Sequence, residues 1–359
     1  MSLWEPEVPY NALPAPPSVG VLETPAVLKA AIGANVALAR LDQAASSMPN
    51  PSVLINTIPL LEAQASSAIE NIVTTTDALF RHLENDAGVD AATRETLRYR
   101  TALRIGFDLA NTRGVSANTA IEVCSAIKGI EMNVRTLPGT RIGNPQTHEI
   151  TYSPPEGRAI IDNKLTEWER FVHADDGMDP LIRMAAAHYQ FEAIHPFPDG
   201  NGRTGRILNV LMLVEAGLLK FPLLYLSRYI IDSKSEYYAR LLAVTSSHQW
   251  EAWIVYMLRG VESTCRGTVD KTGAIRLLQD QFVQEARGAL RGGLDVEFLA
   301  VLFEQPYCRI ATVRERCGVS RPTATAWLNA LVDIGLLRDL KVGRERLFIN
   351  YRFLELLTR

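Results

Sequence analysis

The chain has 359 residues, of which 47% are hydrophobic and 21% charged, enough for two or three domains and a substantial core. A net charge of -3 and a pI near 6.1 exclude binding to nucleic acid by bulk charge and leave room only for a local basic module. The four cysteines, Cys124, Cys265, Cys308 and Cys317, form no C-x-x-C spacing, which argues against a zinc site or a disulfide framework.

Residues 1–20 are proline-rich and lack a basic segment followed by an apolar one, and no apolar run reaches the roughly 18 residues of a membrane span. The expectation is a cytoplasmic protein without membrane contact. Pro6, Pro9, Pro14, Pro16 and Pro17 predict an extended arm to about residue 24. Val27, Leu28, Ile32, Val36, Leu38 and Leu41 keep helical spacing over 25–46, and Leu61, Ala65, Ile69, Ile72, Val73, Leu79 and Phe80 do so over 59–83. Inside the second run Ser66 and Glu70 form an i, i+4 pair that reads locally as a polar face. Helices are predicted over 91–111 and 116–129. The turn residues Pro138-Gly139, Gly143-Asn144-Pro145 and Pro154-Pro155-Glu156-Gly157 bracket strand-like runs at 140–142 and 149–152, which predicts a β-hairpin within 136–157.

Asp179-Pro180 is a helix start, and the apolar-rich run after it reaches residue 193 or 194. The next helix begins near residue 202 or 203 and ends at Gly217. Between the two lies His195-Pro196-Phe197-Pro198-Asp199-Gly200-Asn201-Gly202-Arg203-Thr204-Gly205-Arg206. A glycine-rich turn running into a helix N-terminus converges backbone N–H groups and partial positive charge, which makes an anion site. Arg203 and Arg206, three apart, would clamp phosphate oxygens. Asp199 is a hard oxygen ligand suited to a magnesium ion shared with phosphate. His195 remains as the proton acceptor.

Further on, Tyr237-Tyr238 opens a helix, a longer helix is predicted over 250–288 with interruptions near Gly267 and Gly273, and Arg291-Gly292-Gly293 marks a boundary. Helices over 296–303, 310–317 and 321–334 precede strand-like runs at 336–340 and 346–350, an order that resembles a winged helix. Residues 301–359 hold ten Lys or Arg against six Asp or Glu. DNA binding through 296–350 is possible on that balance but not favoured, because the third helix offers a single cation, Arg321. Dimerisation or target docking is the other use of such a module.

The segment HPFPDGNGRTGR matches the signature HPFx[D/E]GNGRxxR at every fixed position, and the chain resembles the Fic-domain family on that ground. The resemblance implies a protein adenylyltransferase that moves AMP from ATP to a hydroxyl of a target protein, or of itself, with Mg2+. His195 would be the general base and Asp199 the magnesium ligand. Gly200, Asn201 and Gly202 would cradle phosphates, Arg203 and Arg206 would hold the outer ones, and Thr204 and Gly205 complete the nucleotide-binding loop. Residues 66–71 fit [S/T]xxxE[G/N], the family's inhibitory-helix motif, so that Glu70 would pair with Arg206 and deny it to the γ-phosphate. The 136–157 hairpin is similar to the flap on which such proteins dock their targets, and the tyrosine pair makes Tyr237 the candidate for adenine contact.

The expected fold is mainly α: an N-terminal arm and inhibitory segment over 1–90, a helical core with a hairpin flap over 91–290, and a winged helix-turn-helix domain over 291–359. Two other readings remain. The same machinery serves removal of AMP or transfer of another phosphate-containing group, and a nucleotide-sensing core joined to a winged helix serves a DNA-binding regulator.

Overall fold

The computed structural model describes residues 4–83, 88–143, 149–290, 295–342 and 345–358. The arm expected to be extended is interrupted by turns at 6–8 and 11–12 and by one helical turn, α1 (Val19–Leu22). It is laced to the body: the Tyr10 N–H donates to the Ser153 carbonyl at 2.9 Å, Ser153 Oγ to the Pro6 carbonyl at 2.6 Å, and Gln190 Nε2 to the Pro14 carbonyl at 3.0 Å. Helix α2 (Pro25–Ser46) starts at the expected cap, with the Thr24 hydroxyl accepting from the Val27 N–H and Pro25 at the first helical position.

The single helix expected over 59–83 is instead two. Helix α3 (Ser52–Ile69) begins earlier and carries Pro59 in its interior, and α4 (Thr76–His82) starts afresh where the Thr75 hydroxyl accepts from the Ala78 N–H. Between them Asn71 takes a left-handed conformation with φ 62. Local capping and turn chemistry thus overrode an apolar spacing that runs on through the break. Pro59 removes one helix hydrogen bond, but its neighbours Ile58, Leu60 and Leu61 are buried and hold the turn in place.

Helices α5 (Ala91–Arg113) and α6 (Ala117–Lys128) are capped by Asp90 and Ser116. The hairpin follows as β1 (Ile142–Gly143) and β2 (Ile150–Tyr152), antiparallel, with Ile142 opposite Tyr152 and Gly143 opposite Ile150. Its Asn144-Pro145 turn lies outside the described residues. Helices α7 (Arg158–Val172), α8 (Pro180–Ile194) and α9 (Asn201–Glu215) form the centre, and α10 (Leu226–Asp232), α11 (Lys234–Ser247) and α12 (Trp250–Ala286) enclose it. No interruption occurs in α12 at Gly267 or Gly273. Both glycines face open space, and packing along α2 outweighs the roughly 1 kcal/mol each costs in a helix.

The last segment runs α13 (Val296–Glu304), β3 (Tyr307–Arg309), α14 (Ile310–Arg316), α15 (Arg321–Asp333), β4 (Arg338–Val342), β5 (Glu345–Ile349) and α16 (Tyr351–Thr358), with an antiparallel sheet in the order β3-β5-β4. The expected strand at 336 starts at Arg338 because the Leu336 and Leu337 N–H groups close the end of α15 on the Leu331 carbonyl, at 2.9 and 3.2 Å. β3 and α16 are additions that the sequence reading did not contain. The expected boundary at 291–293 lies outside the described residues.

Two apolar clusters fill the interior. One surrounds α8 and α9 and includes Ala63 and Ile69 of α3. The other joins Val53, Leu54, Ile58, Leu60 and Leu61 of α3 to Ile275 and Phe282 of α12 and to Phe298, Val301, Leu302 and Phe303 of α13. Helix α3 therefore belongs to both cores. Among the described residues no helix is long and apolar enough to cross a membrane.

Candidate active site

The site begins where α8 ends. Asp179 Oδ1 accepts from the Leu181 N–H at 2.8 Å to start that helix, and His195 ends it in the left-handed region with φ 49. A non-glycine residue there costs on the order of 1 kcal/mol, and neighbouring groups hold it. Arg135 donates Nε to the His195 carbonyl at 2.7 Å and its own N–H to the Pro196 carbonyl at 2.9 Å, and Nη2 also bonds to the Pro155 carbonyl. The loop closes on itself through Asn201, whose Oδ1 accepts from the Phe197 N–H and whose Nδ2 donates to the Phe197 carbonyl, both at 2.8 Å. The amide of Asn201, expected to help cradle phosphate, is thereby engaged in bracing the loop. Helix α9 starts at Asn201, one residue before the expected position, after Gly200 at φ 86.

Desolvation in the cavity wall, with the Arg135 cation adding to it, pushes the His195 imidazole down to about 4. A lowered value favours the neutral ring, so His195 is a proton acceptor throughout the neutral range and loses that capacity only as pH falls through about 4. We expect the His195 ring resonances of the free protein, assigned by their loss in His195→Ala, to titrate near 4. A midpoint near the ordinary 6.5 would overturn this assignment of its environment.

Arg206 is 2% exposed and sits across the same cavity. Its Nε donates to Ser66 Oγ at 2.8 Å, and its Nη2 donates to the Ser66 carbonyl at 3.0 Å and to Glu70 Oε1 at 2.9 Å. Burial opposes the charge on Arg206, but Glu70 and Glu192 hold the guanidinium above its ordinary range. Glu70 is not inside the helix: it is the C-cap of α3. Two turns earlier on the same face, buried Glu62 accepts from the Ser227 N–H at 2.9 Å and from Tyr99 at 3.2 Å, which fixes the register that brings Ser66 and Glu70 to Arg206. A side chain at Gly202 would collide with Glu70 Oε1, so glycine is what permits this approach.

Asp199 and Arg203 face a different group. Lys128 Nζ lies 2.5 Å from Asp199 Oδ2 and 3.3 Å from Glu95 Oε1, and Arg203 Nη1 lies 2.7 Å from Glu95 Oε1. Arg203 is buried, whereas the Asp199 side chain is 61% exposed. Thr204 is buried with no partner for its Oγ1 among the described residues, and Gly205 lies at the contact of α9 with Phe191 and Glu192 of α8. Of residues 199–206, only Gly202 and Arg206 line the cavity, which measures about 420 Å³ and also receives Glu70, Glu192, His195, Tyr237 and Tyr238. Tyr237 is a wall rather than a handle: it is 1% exposed, packs on Trp253 and Tyr256, and its hydroxyl meets His188 Nε2 at 2.8 Å. Tyr238, 43% exposed, presents more surface.

Sequence reasoning missed Arg135, Glu95, Lys128 and Glu192. Each is an ordinary residue in its local context, and only the packing of α5, α6, the segment after α6 and α8 around the loop reveals it.

Residues 125–213 match the Fic/DOC family domain, 28–108 the Fic/DOC family N-terminal domain, and 278–353 the C-terminal domain of SoFic-like protein adenylyltransferases. The chain belongs to the Fic/DOC family. It is 45% identical over 64 residues to the protein adenylyltransferase fic-1 of Caenorhabditis briggsae, covering 18% of this chain and 11% of that protein. With the protein adenylyltransferase Fic of Drosophila melanogaster it shares 29% identity over 166 residues, 39% of this chain and 33% of that one. The chain thus spans a third or less of the length of these two relatives. A Fic family protein from Desulfovibrio desulfuricans superposes with a TM-score of 0.55 at 19% identity, over 94% of this chain and 98% of that one. A fragment of Fic-1 from Caenorhabditis elegans superposes at 0.53 and 19% identity, over 67% and 71%. At these identities the structural likeness speaks for the Fic fold alone. The Fic/DOC match contains His195 and the loop to Arg206, and the N-terminal match contains Ser66 and Glu70.

Proposed function

We propose that the chain is a protein adenylyltransferase that moves AMP from ATP to a hydroxyl of a target protein and is held down by Glu70. The observation that carries this reading is the sharing of one nucleotide-sized cavity by a neutral His195 and by Arg206 with Glu70 across it. His195 accepts the proton of the target hydroxyl as its oxygen bonds to the α-phosphorus and the bond to pyrophosphate breaks. Arg206, once released, orients the γ-phosphate, and the Gly202 backbone beside it in the cavity lining supports the phosphate chain.

Asp199 fits a divalent cation in kind: it is a largely exposed carboxylate whose near partners are the cationic Lys128 and Arg203. Among the described residues no group of three or more His, Cys, Asp or Glu gathers as a metal site, so phosphate and water would have to complete the shell, as is usual for magnesium. Bound there, Mg2+ would supply charge neutralisation on the phosphates. Cys124, Cys265 and Cys317 are free thiols, the state a reducing compartment maintains, in keeping with a cytoplasmic enzyme. We retain the division into 1–90, 91–290 and 291–359.

Incubation with lysate and ATP labelled at the α- or the γ-phosphate tests the reaction. Protein labelling from the α-position alone is expected, and labelling from the γ-position would make the chain a kinase instead. Target docking is assigned to the hairpin, whose Ile142 and Thr151 line the cavity. A Cβ at Gly143 would collide with the Glu149 carbonyl, so Gly143→Ala must spread the two strands. It should lower target labelling about tenfold, the scale of one lost main-chain contact, with ATP affinity changed less. Equal losses in both would remove the hairpin from docking.

For the C-terminal module, contact with protein, including a second copy of the chain, is favoured over DNA. Arg316 is paired with Glu297 at 2.9 Å and Glu304 at 2.7 Å, and Arg346 with Asp339 at 2.7 Å. Cations neutralised in this way contribute little to phosphate binding.

A further inference from the structure

One carboxyl in the cavity wall has no part in the reaction above. Glu192 lies on α8, one helical turn before His195, and lines the same cavity. Its Oε1 is enclosed and has no hydrogen-bond partner among the described residues. The group is accommodated because residue 205 is glycine: a Cβ there would come 2.6 Å from Oε1. Burial pushes Glu192 up to about 7, with the Arg206 cation opposing and the Glu70 charge adding. A buried polar atom left unpaired is costly and calls for an explanation in a native fold.

Its place in the cavity supplies one. The cavity is lined by Arg206 and His195, the groups assigned to phosphate chemistry, and by Tyr237, Tyr238, Leu241 and Leu242, an aromatic and apolar wall suited to a base. Both Arg206 and the Tyr237 phenol lie close enough for Glu192 to act on them electrostatically, so the carboxyl neighbours the phosphate-binding cation and the aromatic wall alike. The part of a nucleotide that falls between base and phosphates is the ribose. Its vicinal hydroxyls are two donors that a carboxylate can accept together, as the acidic residue of dinucleotide folds accepts from ribose.

We propose that Glu192 accepts hydrogen bonds from the ribose hydroxyls of the nucleotide and makes the site selective for ribonucleotides over their deoxy counterparts. The proposal rests on the nucleotide-donor reading of the cavity, and the test separates the two. Calorimetric titration of the full chain compares ATP with the analogue lacking both ribose hydroxyls, in wild type, Glu192→Leu and Glu192→Gln. Wild type is expected to bind ATP about ten- to a hundredfold tighter than the analogue, the scale of hydrogen bonds to a charged group. Glu192→Leu should bring ATP down to the affinity of the analogue and leave the analogue within about threefold of wild type. Glu192→Gln, which keeps one acceptor oxygen, should retain part of the preference. Equal binding of both nucleotides by wild type overturns the proposal without any variant, even if the substituted chains do not fold. Equal loss of both nucleotides in Glu192→Leu overturns it as well and assigns the carboxyl to Arg206. Absence of ATP binding by wild type would overturn the nucleotide reading itself.

Discussion

Glu70→Gly is expected to raise self-labelling from ATP labelled at the α-phosphate, on the order of tenfold. Glu70 Oε1 accepts from Arg206 Nη2 at 2.9 Å, and the same guanidinium is the group available in the cavity to orient a γ-phosphate. The pair and productive ATP therefore compete, and nucleotide bound while the pair persists leaves its α-phosphate out of line for attack. The magnitude follows from a charge-assisted bond, discounted because the Glu70 side chain is 35% exposed. The substitution should leave the fold intact. Glu70 caps α3 with φ -89 and ψ 16, and glycine at a helix end costs less than in the interior, where it costs about 1 kcal/mol. Ser66→Ala removes the partner of Arg206 Nε and should give a smaller rise. If Glu70→Gly folds, binds ATP and labels itself no faster than wild type, inhibition by this contact is refuted.

His195→Ala, introduced alone or into Glu70→Gly, should lower labelling by about 10²- to 10⁴-fold, the usual contribution of a positioned general base. ATP affinity should stay within a few-fold, because Arg206 and the 200–202 backbone are untouched. The left-handed φ of 49 at this position introduces a possible confusion, since alanine tolerates that region poorly. His195→Asn settles it, asparagine being among the residues that enter the region readily. Comparable turnover in wild type and both variants would remove His195 from the chemistry. A fall in turnover matched by lost ATP binding would instead make the residue structural.

Much of the centre was readable because its signals are local. Asp179-Pro180, Gly200 and Gly217 punctuate α8 and α9 by capping and turn chemistry that acts within a few residues, and the loop between them carries its functional groups in one short run. The break after α3 was not readable in the same way. Apolar spacing continues through Ile72 and Val73, and the left-handed Asn71 is one of many asparagines that spacing alone cannot distinguish. The continuity of α12 escaped for the opposite reason: its two glycines look like breakers until α2 lies along the helix. Glu95, Lys128 and Arg135 come from segments distant in the chain, and pairs such as Arg203 with Glu95 leave no trace in spacing. The partition of Tyr237 and Tyr238 into a buried wall and an exposed face likewise depends on Trp253 and Tyr256.

The double membership of α3 bears on how the chain can be shortened. Its first half is embedded among Phe298, Val301, Leu302 and Phe303, and the connection is reinforced by Asn50 Nδ2 donating to Glu304 Oε1 at 3.4 Å and by the Tyr307 hydroxyl on Asp77. A chain cut near residue 290 would expose apolar side chains such as Leu54, Ile58 and Leu61, each worth about 1.5–3 kcal/mol when fully buried, on the very helix whose far end restrains Arg206. A catalytic core trimmed by domain boundaries would lose the anchorage of its own brake, and a high turnover measured on it would describe an uncaged enzyme.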